Sequence, residues 1–228
     1  MGVLLAPGAG AGKDQPALVA MGAALEGQGA TVRRMDFPYR AAGRRWPPHR
    51  LAVLVSSVTA EAASLGRHCD RLVLGGRSMA GGRARWRWRR GPMSARPRSA
   101  PPSSSAIPLH PPGRPEQRGD AHFPHLGMSC LFVSGTCDAF ATPDELRSAV
   151  AVIPGPVTLH PIEGGDHGLR RRDAEVATLV AGWGWQLPGR LPALARAEPR
   201  SSRCRPGGRL GAGSGPAVAR LGRRAGSC

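Results

Sequence analysis

Three side chains able to share the work of nucleophilic catalysis stand just beyond three segments that read as strands. Ser78 follows Leu72-Val73-Leu74, Asp138 follows Leu131-Phe132-Val133, and His167 follows the run from Val157 to Ile162. A serine hydroxyl attacks poorly until a base takes its proton, and the base works best when a third group holds it in orientation. The local text suits those roles. Ser78 comes directly after Gly75-Gly76-Arg77, the order strand, glycines, serine that a sharp nucleophile turn requires, because larger flanking side chains would collide. Asp138 closes Ser134-Gly135-Thr136-Cys137, and His167 is reached through Glu163-Gly164-Gly165-Asp166. Taken singly, each has an ordinary reading: a serine in a turn, an aspartate capping a helix, a histidine on a surface loop. Their arrival in the order Ser, Asp, His at three successive strand ends favours a shared site.

Other chemistry-bearing residues form weaker patterns. Cys137 adjoins Asp138, and an uncharged neighbour thiol is the favoured reading over a reactive one. His110, His122 and His125 lack carboxylates or cysteines at a metal-ligand spacing, so no metal is expected. The turn Gly8-Ala9-Gly10-Ala11-Gly12 is followed by Lys13-Asp14 and lacks the Gly-Lys-Ser/Thr ending of a phosphate loop, which favours a structural or oxyanion role.

Positioning these groups requires alternating strands and helices. Val3 to Ala6 reads as a buried strand entering the glycine turn. A helix follows, with Asp14 as N-cap, Pro16 in its first turn and Gly27 at its end. Thr31 to Phe37 reads as a strand closed by Pro38, Arg44 to Pro48 as a loop, and Leu51 to Leu65 as a helix ending at Gly66. Arg71 to Gly75 is the clearest buried strand. Strands at 131–133 and 157–162 alternate with helices at 143–153 and 173–185. The pattern predicts an α/β fold, a mostly parallel sheet with helices on both faces, in which loops beyond the carboxyl ends of the strands gather the functional groups.

Charge divides the chain unevenly. Of a formal net charge of +17, most sits in two stretches: 80–106 holds seven arginines and no acidic residue, and 190–228 holds nine arginines and one glutamate. Neither shows a period of 2 or 3.6. Five cysteines without a C-x-x-C pair argue against a disulfide framework or a zinc site. No apolar run approaches the roughly 18 to 20 residues of a membrane span, and the N-terminus lacks a basic lead-in. The expectation is a cytoplasmic protein with no membrane partner. One domain is expected over 1–189, followed by a disordered basic tail over 190–228.

Leu4-Leu5-Ala6-Pro7-Gly8-Ala9-Gly10-Ala11-Gly12, Asp36-Phe37-Pro38-Tyr39, Gly75-Gly76-Arg77-Ser78-Met79, Leu109 to Pro115, Gly135 to Asp138 and Gly164 to Leu169 together resemble one branch of the α/β-hydrolases. It is the dienelactone-hydrolase-related branch, shared by bacterial hydrolases and the testis-expressed hydrolase-like proteins of animals. The resemblance spans roughly 2–79 and 107–186, and the order Ser, Asp, His is the one associated with that fold. It implies Ser78 as nucleophile, Asp138 as the orienting acid and His167 as general base. It also implies an oxyanion hole from the backbone N–H of Met79 and one from the turn at Ala9 or Gly10, with no cofactor and a small-molecule acyl substrate.

The chain departs from the family in three places. It starts inside the strand that leads to the oxyanion turn, so strands that the family places earlier are expected to be missing. Ser78-Met79-Ala80-Gly81-Gly82-Arg83 carries an alanine where the family has glycine. The helix after the serine and the next strand should occupy about 80–107, where an Arg/Trp/Pro/Ser stretch stands instead. An out-of-frame reading of a GC-rich gene accounts for that stretch better than a genuine basic insertion does, and the same explanation extends to the tail. The leading function is a serine hydrolase of esters, thioesters or lactones. One rival is an inactive hydrolase-fold protein serving as an interaction module. The other is a basic nucleic-acid-binding protein, which explains none of the strand-end residues.

Overall fold

The computed structural model describes residues 1–45, 51–78, 103–105 and 108–185. Residues 46–48 of the expected loop, Met79, most of the basic stretch and the tail after 189 lie outside the described residues. The rest falls in one compact unit, Met1–Leu191.

Six strands are described: β1 (Gly2–Ala6), β2 (Thr31–Arg34), β3 (Leu72–Gly76), β4 (Ser103–Ser105), β5 (Cys130–Gly135) and β6 (Val157–Ile162). Five helices accompany them: α1 (Pro16–Glu26), α2 (Pro38–Ala41), α3 (Leu51–Gly66), α4 (Pro143–Val150) and α5 (Asp173–Trp185), with a 3-10 turn at Phe123–His125. Every described ladder is parallel, in two hydrogen-bonded sets ordered β2-β1-β3 and β4-β5-β6. β4 lies beside β3, so the strand order runs β2-β1-β3-β4-β5-β6.

The expected α/β architecture is therefore present, with one correction. The stretch 80–106 contributes a strand after all, since Ser103–Ser105 pair with Leu131–Val133. A parallel ladder is made by the backbone, so three serines can occupy the place of an apolar strand.

Burial follows strand alternation. Leu131, Val133 and Ile162 face one side with Val3, Leu5 and Val73, covered by α1 and α5 through Leu18, Met21, Leu25, Val176 and Val180. This cluster joins both sets of strands. On the other face, Leu4, Leu72 and Leu74 pack on Phe37, Tyr39 and α3. Phe132 and Cys130 pack on Leu109, Phe123 and α4. Helices thus cover both faces, as continuous apolar runs on parallel strands require.

Element ends differ from expectation for local reasons. The N-cap of α1 is Gln15 rather than Asp14, with no side-chain cap bond, because the Asp14 carboxylate instead meets Arg34 at 3.0 Å. β2 stops at Arg34 instead of Phe37. Pro38 starts a short helix that turns Phe37 and Tyr39 into the core, where both are fully buried. α4 begins with a capping box: Thr142 Oγ1 accepts from Glu145 N, and the Glu145 carboxylate accepts from Thr142 N.

Candidate active site

β3, β5 and β6 run parallel, so their carboxyl ends open on the same edge, and the three expected residues meet there. His167 Nε2 lies 3.1 Å from Ser78 Oγ, and His167 Nδ1 lies 2.8 Å from Asp138 Oδ2. Sequence separations of 89 and 29 residues are closed by the strand order alone.

Each member is held by its own local device. Ser78 has φ of 48°, a left-handed conformation that costs a non-glycine residue roughly 1–2 kcal/mol and turns the hydroxyl sharply off the strand. Asp138 has a fully buried side chain. Its Oδ1 accepts from the Phe140 N–H at 2.8 Å, a turn in which the aspartate bonds two residues ahead, leaving Oδ2 for the histidine. The His167 side chain is 21% exposed, so part of the imidazole faces solvent. The Phe140 ring covers the imidazole, with centroids 4.1 Å apart and planes tilted by 32°.

The loops bearing Asp138 and His167 are laced together. Cys137 N–H donates to Gly165 O at 2.9 Å, Thr136 N–H donates to Ile162 O at 3.0 Å, and Gly164 N–H donates to Thr136 Oγ1 at 2.9 Å. This approach needs glycine at 135. A Cβ there would lie 2.0 Å from the Gly165 carbonyl oxygen.

Arg77 ties the end of β3 to the loop that carries His167. Its guanidinium donates to the carbonyls of His167, at 3.1 Å, and Gly168, while its own N–H donates to Ala6 O. Burial pushes its pKa below the usual arginine value, opposed by the charges of Asp173, Asp166 and Asp138. Sequence reading passed over both Arg77 and Phe140. The available signals were an arginine abutting the serine and the second residue of an aspartate turn.

The glycine turn stands beside the serine, since a Cβ on Gly8 would lie 3.6 Å from Ser78 Cβ. Of the oxyanion candidates, the Gly10 N–H donates to the Tyr39 hydroxyl at 3.2 Å. Ala9 is exposed on the same turn, and Met79 lies outside the described residues. Among the described residues no cluster suits a metal ion. His110 instead sits 3.2 Å from the Glu145 carboxylate and 2.9 Å from Pro111 O. Cys137 is a free, exposed thiol.

A sequence model of the alpha/beta hydrolase domain matches residues 1–183. The chain belongs to the α/β-hydrolase family. No curated protein matches it. Solved structures share its fold. An α/β serine hydrolase homologue from Coxiella burnetii is 17% identical with a TM-score of 0.63, covering 80% of this chain and 84% of that one. Dienelactone hydrolase from Anabaena variabilis is 19% identical with a TM-score of 0.60, covering 82% and 86%. An α/β serine hydrolase without a lid from Xanthomonas campestris is 19% identical with a TM-score of 0.57, covering 83% and 84%. Among the described residues of this α/β-hydrolase no helix is long and apolar enough to cross a membrane.

Proposed function

We propose that the chain is a serine hydrolase of small acyl substrates, namely esters, thioesters or lactones. One observation carries the reading: the unbroken path from Ser78 Oγ through His167 Nε2 and Nδ1 to Asp138 Oδ2, with both gaps within hydrogen-bond reach. The dienelactone hydrolase among the similar folds supports placing lactones beside esters.

In the proposed reaction, Ser78 Oγ attacks the acyl carbonyl carbon while its proton passes to His167 Nε2. Asp138 accepts from Nδ1–H and stabilises the imidazolium without itself taking the proton. The carbonyl oxygen becomes an oxyanion beside the glycine turn, where the Ala9 N–H and the backbone N–H of Met79 are the proposed donors. Collapse expels the leaving group, which takes the proton from His167. Water, deprotonated by the same imidazole, then releases the acyl group and restores the Ser78 hydroxyl.

Hydrolysis of p-nitrophenyl acetate tests the assignment. Ser78→Ala should lower kcat by several orders of magnitude, and Asp138→Asn by about 10³- to 10⁴-fold, since the imidazole loses its oriented tautomer. Turnover unchanged in Ser78→Ala removes that residue from the mechanism.

A further inference from the structure

Phe140 meets the group of Ser78, Asp138 and His167 twice. Its backbone N–H donates to Asp138 Oδ1 at 2.8 Å, and its ring lies against the His167 imidazole, with centroids 4.1 Å apart and planes tilted by 32°. The ring is placed by its backbone as well as by packing, because the Phe140 carbonyl accepts from the N–H groups of Leu109, at 3.0 Å, and His110, at 3.3 Å. Phe140 is half-buried, and among the described residues it joins none of the three apolar clusters that form the core. Filling the core therefore does not explain where the ring sits.

We propose, resting on the hydrolase reading above, that Phe140 is a positioning residue whose aromatic face stabilises the imidazolium formed on His167 during turnover. As the O–H bond of Ser78 breaks and the proton bonds to His167 Nε2, the imidazole gains a positive charge; Phe140 itself forms and breaks no bond. The face of a benzene ring is electrostatically negative, and it attracts a cation within about 6 Å of its centroid more strongly than a neutral ring. The contact is thus stronger after proton transfer than before, which is the condition for lowering a barrier rather than for binding alone. Asp138 meets that charge at the edge of the imidazole, through Nδ1, and Phe140 meets it from the face. A leucine would cover the imidazole without this attraction.

The test is a fluorination series in the full chain, with Phe140 replaced by monofluoro-, trifluoro- and pentafluorophenylalanine, which nearly keep the ring's shape while draining its negative face stepwise. Along the series, kcat for p-nitrophenyl acetate and the rate at which a fluorophosphonate probe labels Ser78 should fall together, by about three- to tenfold at the pentafluoro end. KM and Tm should stay nearly constant, a split that a purely structural role would not give. Phe140→Leu should lose kcat to a similar extent, and Phe140→Tyr, which keeps the aromatic face, should retain it within about twofold. Should the pentafluoro form fail to fold, the slope over the monofluoro and trifluoro forms still decides. Rates indifferent to fluorine content, where the wild type takes the label at Ser78, overturn the role of the aromatic face and leave the hydrolase reading standing. An absence of label on Ser78 of the wild type overturns both.

Discussion

Arg77 is the side chain whose removal best separates a positioned site from three residues that happen to be near one another. It reaches from the position before Ser78 to the backbone of His167, and it is 6% exposed. Arg77→Met keeps the volume but strands two carbonyls, so a loss of about 2–3 kcal/mol is expected by chemical denaturation. Where the variant stays folded, kcat should fall while KM for p-nitrophenyl acetate changes little, because the loop it anchors carries His167, the proposed base, rather than proposed substrate contacts. Full stability together with full kcat would remove the anchoring role. A separate expectation concerns His110. Its bond to Pro111 O, together with Glu145, raises its pKa against the effect of burial. The Glu145 carboxyl is lowered to about 2 by its bonds to Thr142 and then by His110. The stability supplied by a raised histidine is complete below its unfolded value of about 6.5 and is lost as pH rises through the folded value. That of the lowered glutamate is complete above its ordinary range and is lost as pH falls through about 2. The stability gap between wild type and His110→Gln, measured by thermal unfolding, should therefore be wide near about pH 5.5 and narrower near about pH 8.5. A gap independent of pH would contradict the pairing.

At the scale of elements, the site depends on two strand-end loops approaching closer than side chains allow. Gly135→Ala places a methyl group where the Gly165 carbonyl stands, and backbone cannot yield as a flexible side chain can. A large fall in Tm is expected, with loss of activity; an unchanged Tm would mean that the loops are not packed as described. The sequence made most strands legible because buried parallel strands are near-continuous apolar runs closed by glycine, as at Leu72–Gly76 and Cys130–Gly135. It left β4 hidden, since Ser103–Ser105 hold their place by backbone pairing that no apolar pattern marks. α2 was equally hidden because four residues carry no period. Ser78, Asp138 and His167 were legible from glycine-flanked positions after strands. Tyr39, Phe140 and Arg77 were not, since their roles arise from contacts with residues remote in the chain or with backbone atoms.

At the scale of the whole molecule, the hydrolase body and the basic stretches divide the chemistry. Residues 107–189 hold six arginines against nine acidic residues, so the net charge of +17 belongs mainly to 80–106 and 190–228. Whatever affinity the full chain has for duplex DNA should rest on those arginines and fall by orders of magnitude between about 50 and 200 mM salt, as release of counterions dictates. A gel-shift series would show this, and affinity kept after deletion of both stretches would contradict it. The central claim lies elsewhere, in whether Ser78 is an activated nucleophile, and active-site labelling reads that without knowledge of the substrate. Treated with a fluorophosphonate probe and analysed by peptide mass spectrometry, the protein should carry one adduct, on Ser78. That adduct should vanish in Ser78→Ala and form far more slowly in His167→Ala. An unlabelled Ser78, or labelling at the same rate without His167, would contradict the claim.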